Sequence, residues 1–268
     1  MQKSRKGSVR PLLLLVALVS ASASPLTYAE QDPPKYGPLG HPKAIPLSQA
    51  NAYFKDQKHP APDFWSLMPY YVPQFNGAAC GVASLSMVLN AARSDQNLGA
   101  SDPLIVQQSL LSAIPVENWK SRILGSFWGL NPFAKRGTPL SVLGQIAEKA
   151  LEHYDIQGAR VEIRHFDSLT PESLQELRRV LSENEANPNN WIIVNFNQKA
   201  LTDDAEVGHL APIGAYDAAT DQVLILDPDR EWYEPYWVKT EDLALGMNTL
   251  DSEQKRFRGY LILTRGSK

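Results

Sequence analysis

The chain of 268 residues contains one cysteine, Cys80. A single thiol rules out an internal disulfide. No apolar run reaches the roughly 20 residues that a membrane-spanning helix needs; the run at 11–19 is about half that length. Basic residues are not in excess. Lys and Arg number 26 against 29 Asp and Glu. Four of the 26 (Lys3, Arg5, Lys6, Arg10) lie in the first 29 residues, which carry no acid, so the remainder has 22 basic against 29 acidic residues, a formal charge of −7. That balance argues against nucleic acid as a partner. Internal repeats and low-complexity segments are absent too.

What the first 29 residues do have is a basic start, a short apolar stretch and then small residues. This is the pattern of a secretory signal peptide, with cleavage expected after Ala29 and Ala23 as the other small-residue site. The chain is therefore expected to be exported, to the periplasm where there is an outer membrane, with no stable membrane association after cleavage. About 239 residues then remain, enough for one domain with a substantial core. Residues 30–60 are rich in proline and read as an extended arm with little regular structure. Residues 61–268 read as the folded domain.

Within it the texture changes half-way. Apolar periodicity predicts helices over 80–92, 104–112, 139–154 and 171–184, the last with Pro171 in its first turn. The segment 118–136 reads as a long irregular loop with two exposed tryptophans. Strands are expected at 191–197, 209–218, 222–228, 234–239 and 259–265, with DAATDQ as a hairpin turn between two of them. A helical half followed by an antiparallel meander is an α+β pattern.

A lone thiol in an exported chain is either buried and inert or kept for its chemistry. Cys80 stands at the first turn of the helix predicted over 80–92, where unpaired backbone N–H groups and the macrodipole stabilise a thiolate. A nucleophilic thiol needs a base, and the base needs an orienting group. Of the five histidines, His41, His59, His153 and His165 read as surface residues. His209 opens an apolar strand, where it is either a satisfied core histidine or a catalytic one. Asp227 ends the next strand of the hairpin. Folding at 219 returns it to His209, and a buried carboxylate requires such a partner. Capping of the Asp-Pro turn is the other role open to Asp227. Gln74, six residues before Cys80, is placed to supply a side-chain amide to an oxyanion. One cysteine and scattered histidines have no metal-ligand spacing, so no metal site is expected.

The run from Gln74 to Cys80-Gly81, followed by a helix and then His209 and Asp227, resembles papain-like cysteine peptidases. PQFNGAACGVASLSMVLNAAR and GHLAPIGAYDAATDQVLILDPDR together resemble more closely the phytochelatin synthase family, in particular its short bacterial members, over roughly residues 60–265. The resemblance implies a papain-like fold with a nucleophile helix packed on an antiparallel sheet. It implies cleavage of the Cys–Gly bond of glutathione through a γ-Glu-Cys acyl-enzyme. Cys80 would be the nucleophile, His209 the base and acid, Asp227 the orienter and Gln74 the oxyanion donor. It also places Asp251 and Arg258 at the α-amino and α-carboxylate groups of the γ-glutamyl end, with Tyr260 beside them and Gly208 and Asn195 in the same cleft. No cofactor is required, although Cd or Zn would enter as a metal–glutathione thiolate substrate. A homodimer is implied by the family alone. Plant-type members carry a Cys-rich C-terminal region, whereas this sequence has no second thiol, so hydrolysis is expected to dominate over transpeptidation. Two other readings remain: a papain-like peptidase acting on other peptide or isopeptide bonds, and a non-catalytic module binding metal or thiols through Cys80.

Overall fold

A computed structural model describes residues 43–56, 58–96, 98–116, 118–125, 136–204 and 206–266. The expected signal peptide, the arm up to residue 42, including His41, and the part of the loop at 126–135 lie outside the described residues. All described residues belong to the unit Pro33–Lys268.

Along the chain come β1 (Ile45–Pro46), α1 (Ala52–Lys55), α2 (Pro62–Leu67), α3 (Cys80–Ala92), α4 (Gln107–Ala113), α5 (Trp119–Leu124), α6 (Leu140–His153) and β2 (Arg160–His165). Then follow α7 (Pro171–Glu185), β3 (Asn190–Asn197), α8 (Gln198–Thr202), β4 (Gly208–Asp217), β5 (Gln222–Ile225), β6 (Tyr236–Lys239), α9 (Thr240–Met247) and β7 (Gly259–Thr264). The strands form a seven-stranded sheet in the order β1-β6-β5-β4-β3-β7-β2, antiparallel at every pairing. The expected α+β architecture with a consecutive meander is what the chain adopts. Beyond the meander β3–β6, the C-terminal β7 inserts between β3 and β2.

The sheet is covered on both faces, not on one. Trp191 and Ile193 of β3 pack with α3, α4, α5 and α6, while Ile192, Val194 and Phe196 pack with α7, α8 and α9. This is why β3 reads as the unbroken apolar run WIIV: successive side chains point to opposite faces, and both faces are core. Helix α3 is the centre of the first layer, with all thirteen residues buried. Its small residues permit this. A Cβ on Gly81 would lie 2.9 Å from Leu210 Cδ1. Helix α7 begins as expected, with Pro171 in its first turn behind a capping box in which Thr170 Oγ1 accepts from Ser173 N at 3.2 Å and Ser173 Oγ accepts from Thr170 N at 2.9 Å.

Three expectations are corrected. From residue 43 the arm is packed, not extended: Leu47 N donates to Pro235 O at 2.8 Å, and the buried Tyr53 donates to Glu185 Oε1 at 2.6 Å. The loop at 118–136 contains α5, and Trp119 within it is fully buried; Trp128 lies outside the described residues. The segments 160–165 and 240–247, given no element from the sequence, are β2 and α9.

Candidate active site

Cys80 is the first residue of α3. The preceding Ala79 offers no side-chain cap, so no side chain competes for the N–H groups of the first turn. One turn on, Ser84 Oγ donates to Leu210 O at 3.1 Å and fixes α3 against β4 beside His209. His209 and Asp227 meet as the hairpin argument requires, with Nε2 and Oδ1 2.7 Å apart and both side chains buried. Asp227 Oδ1 also accepts from Asp229 N at 2.8 Å, and Oδ2 accepts from the Tyr236 hydroxyl at 2.9 Å. Capping the Asp-Pro turn and holding the imidazole are therefore done by one carboxylate at once. The His209 ring packs edge-to-face on Phe196.

Burial pulls the His209 pKa down, but the Asp227 carboxylate, through charge and hydrogen bond, together with the adjacent Cys80, holds it well above the ordinary value. Asp227 occupies Nε2, so Nδ1 is the nitrogen left for the thiol. A base oriented on one side and facing a thiol on the other is the arrangement that a nucleophilic cysteine needs.

A cavity of about 470 Å³ opens at this point. Cys80 and His209 stand in its wall, and Asn195, Gly208, Asp251 and Arg258 stand in the same wall. Arg258 is buried yet weakly paired. Its Nη1 lies 3.4 Å from both Asn195 Oδ1 and Asp251 Oδ2, and Nε has no partner among the described residues. Burial lowers its pKa, against the pull of Asp251 and Cys80. A desolvated guanidinium with long contacts is held ready for a further anion, and a planar carboxylate fits its fork. Asn195 Nδ2 donates to His209 O at 3.2 Å and so links this end of the cavity to the strand that carries His209. Gly208 makes room: a Cβ there would sit 2.8 Å from the guanidinium carbon of Arg258.

Two expected site residues do not line this cavity. Tyr260 is not in the cavity wall. It is buried in the opposite core layer, next to Arg164, with its pKa raised by burial. Gln74 is not in that wall either. It sits beside the end of the β4–β5 hairpin, its N–H donating to Pro228 O at 2.8 Å, and its side-chain Oε1 is buried without a partner among the described residues. Of the other histidines, His59 stacks on Tyr53 and His165 Nδ1 lies 2.6 Å from Phe257 O.

The sequence reading missed the opposite wall, Arg136 to Pro139, including the buried hydroxyl of Thr138, which has no partner among the described residues. It missed Tyr236 as well; a tyrosine in an apolar strand beside a buried aspartate was the available signal. Among the described residues, no group of three or more His, Cys, Asp or Glu could hold a metal ion, and no helix is long and apolar enough to cross a membrane.

Comparison with known proteins bears on this geometry. A glutathione gamma-glutamylcysteinyltransferase 1 of Lotus japonicus is 29% identical over 209 residues, 75% of this chain and 36% of the relative. One from Arabidopsis thaliana is 28% identical over 237 residues, 85% of this chain and 43% of the relative. The chain thus spans less than half the length of these relatives. A C39-like peptidase from Bacillus anthracis aligns over 76% of this chain and 98% of its own, at 19% identity and a TM-score of 0.43. The family model for phytochelatin synthase matches residues 44–260, which take in the whole of the Cys80, His209, Asp227 and Arg258 constellation, and the chain belongs to the phytochelatin synthase family.

Proposed function

We propose that this chain cleaves the Cys–Gly amide of glutathione through a γ-Glu-Cys thioester on Cys80, as the names of its relatives suggest. One observation carries the reading. Cys80 and His209, the latter held by the buried Asp227 behind it, share a single cavity with an underpaired buried arginine and an aspartate, the two charges that complement the carboxylate and ammonium of a γ-glutamyl end.

In acylation the Cys80 thiolate attacks the amide carbonyl carbon. Negative charge passes to the oxygen, where the Gln74 amide and the backbone N–H of Cys80 are the donors this reading assigns. Collapse breaks the C–N bond, and the imidazolium of His209 gives its proton to the departing glycine nitrogen. Water then attacks the thioester, His209 takes the water proton, the C–S bond breaks and the thiolate returns. A second glutathione, free or as a Cd or Zn thiolate, replaces water when a phytochelatin forms. Hydrolysis as the main outcome is part of the same reading.

Mass spectrometry of the protein mixed with glutathione, with and without cadmium, tests this. The expected result is a γ-Glu-Cys adduct on Cys80 with release of glycine, followed by free γ-Glu-Cys. Oligomers in place of the free dipeptide would make transpeptidation the main course. No adduct and no glycine would remove glutathione as substrate.

Export to the periplasm is part of the same reading and rests on residues 1–29; an N-terminal mass beginning at Glu30 in the isolated protein is the expected result. A homodimer rests on the family resemblance, and sedimentation of the mature chain tests it.

A further inference from the structure

The loop that carries Gln74 has neither helix nor strand of its own, yet it is gripped on both sides of that residue. Gln107, the first residue of α4, donates from Nε2 to Pro73 O at 2.8 Å, and its Oε1 accepts from Phe75 N at 3.3 Å. One side-chain amide thus pairs with the backbone groups immediately before and after Gln74, as a neighbouring strand would. The N–H of Gln74 itself is tied to Pro228 O, one residue past Asp227.

Gln107 is in turn held from the nucleophile helix. Asn90, ten residues after Cys80 on α3, makes the same kind of grip two residues ahead of Gln107. Its Nδ2 donates to Ile105 O at 2.9 Å and its Oδ1 accepts from Ile105 N at 3.0 Å. Asn90 is 5% exposed and Gln107 7%. Both contacts of Gln107 to Pro73 and Phe75 are part-buried. What the amide adds is a fixed backbone geometry at Gln74.

We infer that Gln107 is a positioning residue which, anchored to α3 through Asn90, sets the Gln74 amide relative to Cys80 for the tetrahedral transition state. The inference rests on the reading of Cys80 as nucleophile and Gln74 as oxyanion donor. Displacing a catalytic group by about 1 Å costs up to about 100-fold in rate, and losing one oxyanion donor costs about 100- to 1000-fold. An effect transmitted through Gln107 should therefore lie below the direct one.

The test uses the full chain with glutathione. Gln107→Leu is expected to lower kcat by about 10- to 100-fold with KM changed less than about twofold. Alkylation of Cys80 by iodoacetamide should keep its rate, because displacement at carbon forms no oxyanion. A general loosening of the fold would move KM and alkylation as well. On a Gln74→Ala background the change should add nothing further, because residues acting as one unit are not additive. Gln107→Glu retains the shape and the acceptor for Phe75 N but loses the donor to Pro73 O, and should lower kcat in the same direction if the leucine variant does not fold. An unchanged kcat in both variants would overturn the inference, as would a full loss that persists on the Gln74→Ala background, or a Gln74→Ala enzyme with normal kcat. Undiminished turnover by Cys80→Ala would instead remove the reading of the site itself.

Discussion

His209 and Asp227 lie eighteen residues apart in sequence and 2.7 Å apart in space, and the carboxylate keeps the imidazole well above its ordinary pKa despite its burial. The sign of the pH dependence follows. A histidine raised in the folded state is charged below its native value and loses that charge, and any stability it confers, as pH rises through it. Turnover that needs an imidazolium beside a thiolate should thus hold well above the model histidine value of about 6.5 before its alkaline limb falls. Asp227→Asn should move that limb towards acid and lower kcat by about two to four orders of magnitude, as loss of a triad orienter does. The pH profile of kcat for both enzymes checks this; an alkaline limb that stays in place in Asp227→Asn would separate the carboxylate from the base.

Gly208 and Arg258 should behave as one unit. Gly208 lies outside the left-handed region, so alanine there introduces no backbone strain, only the collision with the guanidinium. Gly208→Ala should displace Arg258 and raise the KM for glutathione by about 10- to 100-fold, the weight of a charged hydrogen-bonded contact. Arg258→Ala should do the same. The double variant should be little worse than either single one, and a multiplicative effect in the cycle would show that Gly208 acts through something other than Arg258.

The far wall of the cavity is strapped to the turn that carries Asp251 by Arg122. Its guanidinium forks onto Glu253, and Nη2 donates to Gly137 O at 2.9 Å, while Gln254 Nε2 donates to Ser141 Oγ at 2.5 Å. The Arg122 hydrogen bond lowers the Glu253 pKa. Asp251 stands in that same turn, its Oδ1 accepting from Glu253 N at 2.9 Å. Arg122→Gln should raise KM by a few-fold, equivalent to less than about 1 kcal/mol for a partly exposed pair. Raising salt should narrow the gap between the two enzymes. Steady-state kinetics at low and high ionic strength measure both effects.

The cluster of Cys80, His209 and Asp227 was legible because each of its residues breaks a local pattern. Cys80 is the only thiol, His209 is polar at the mouth of an apolar strand, and Asp227 follows four apolar residues. Tyr260 was misplaced for a definable reason. The family resemblance put it beside Arg258, but β7 begins at Gly259, so Arg258 precedes the ladder while Tyr260 stands within it and turns into the opposite core layer. Helix α5 has only Trp119 and Ile123 turned to the core, too few for a periodicity to register. Strand β2 is an edge strand with Arg160, Glu162 and Arg164 alternating with apolar residues, and its polar face hides it. Helix α9 follows β6 with no intervening residue, so no turn signal separates them. Gln107 could not be found at all from the sequence, since its partners are backbone atoms some thirty residues earlier.

Asp63 is the buried carboxyl that the proposed chemistry does not use. It sits in α2, its Oδ2 accepts from Asn184 Nδ2 at 2.9 Å, and Oδ1 has no partner among the described residues. Burial and the neighbouring Glu185 raise its pKa well above the ordinary value, against the Asn184 hydrogen bond. Between its unfolded and folded pKa values the native protein holds a proton that the unfolded chain has released. Its contribution to stability therefore falls as pH rises from about 4 through that window. Asp63→Asn supplies a neutral group of the same shape and should remove this loss. The variant should melt about 2–4 °C above the parent at neutral pH, the effect of about 1 kcal/mol in a domain of this size, with the gap closing as pH approaches 4. Thermal melts from pH 4 to 8 decide it. A variant less stable at pH 7 would mean that Asp63 is ionised in the native protein and held by contacts that asparagine cannot make; a gap that does not change with pH would mean that its carboxyl titrates alike in the folded and unfolded chain.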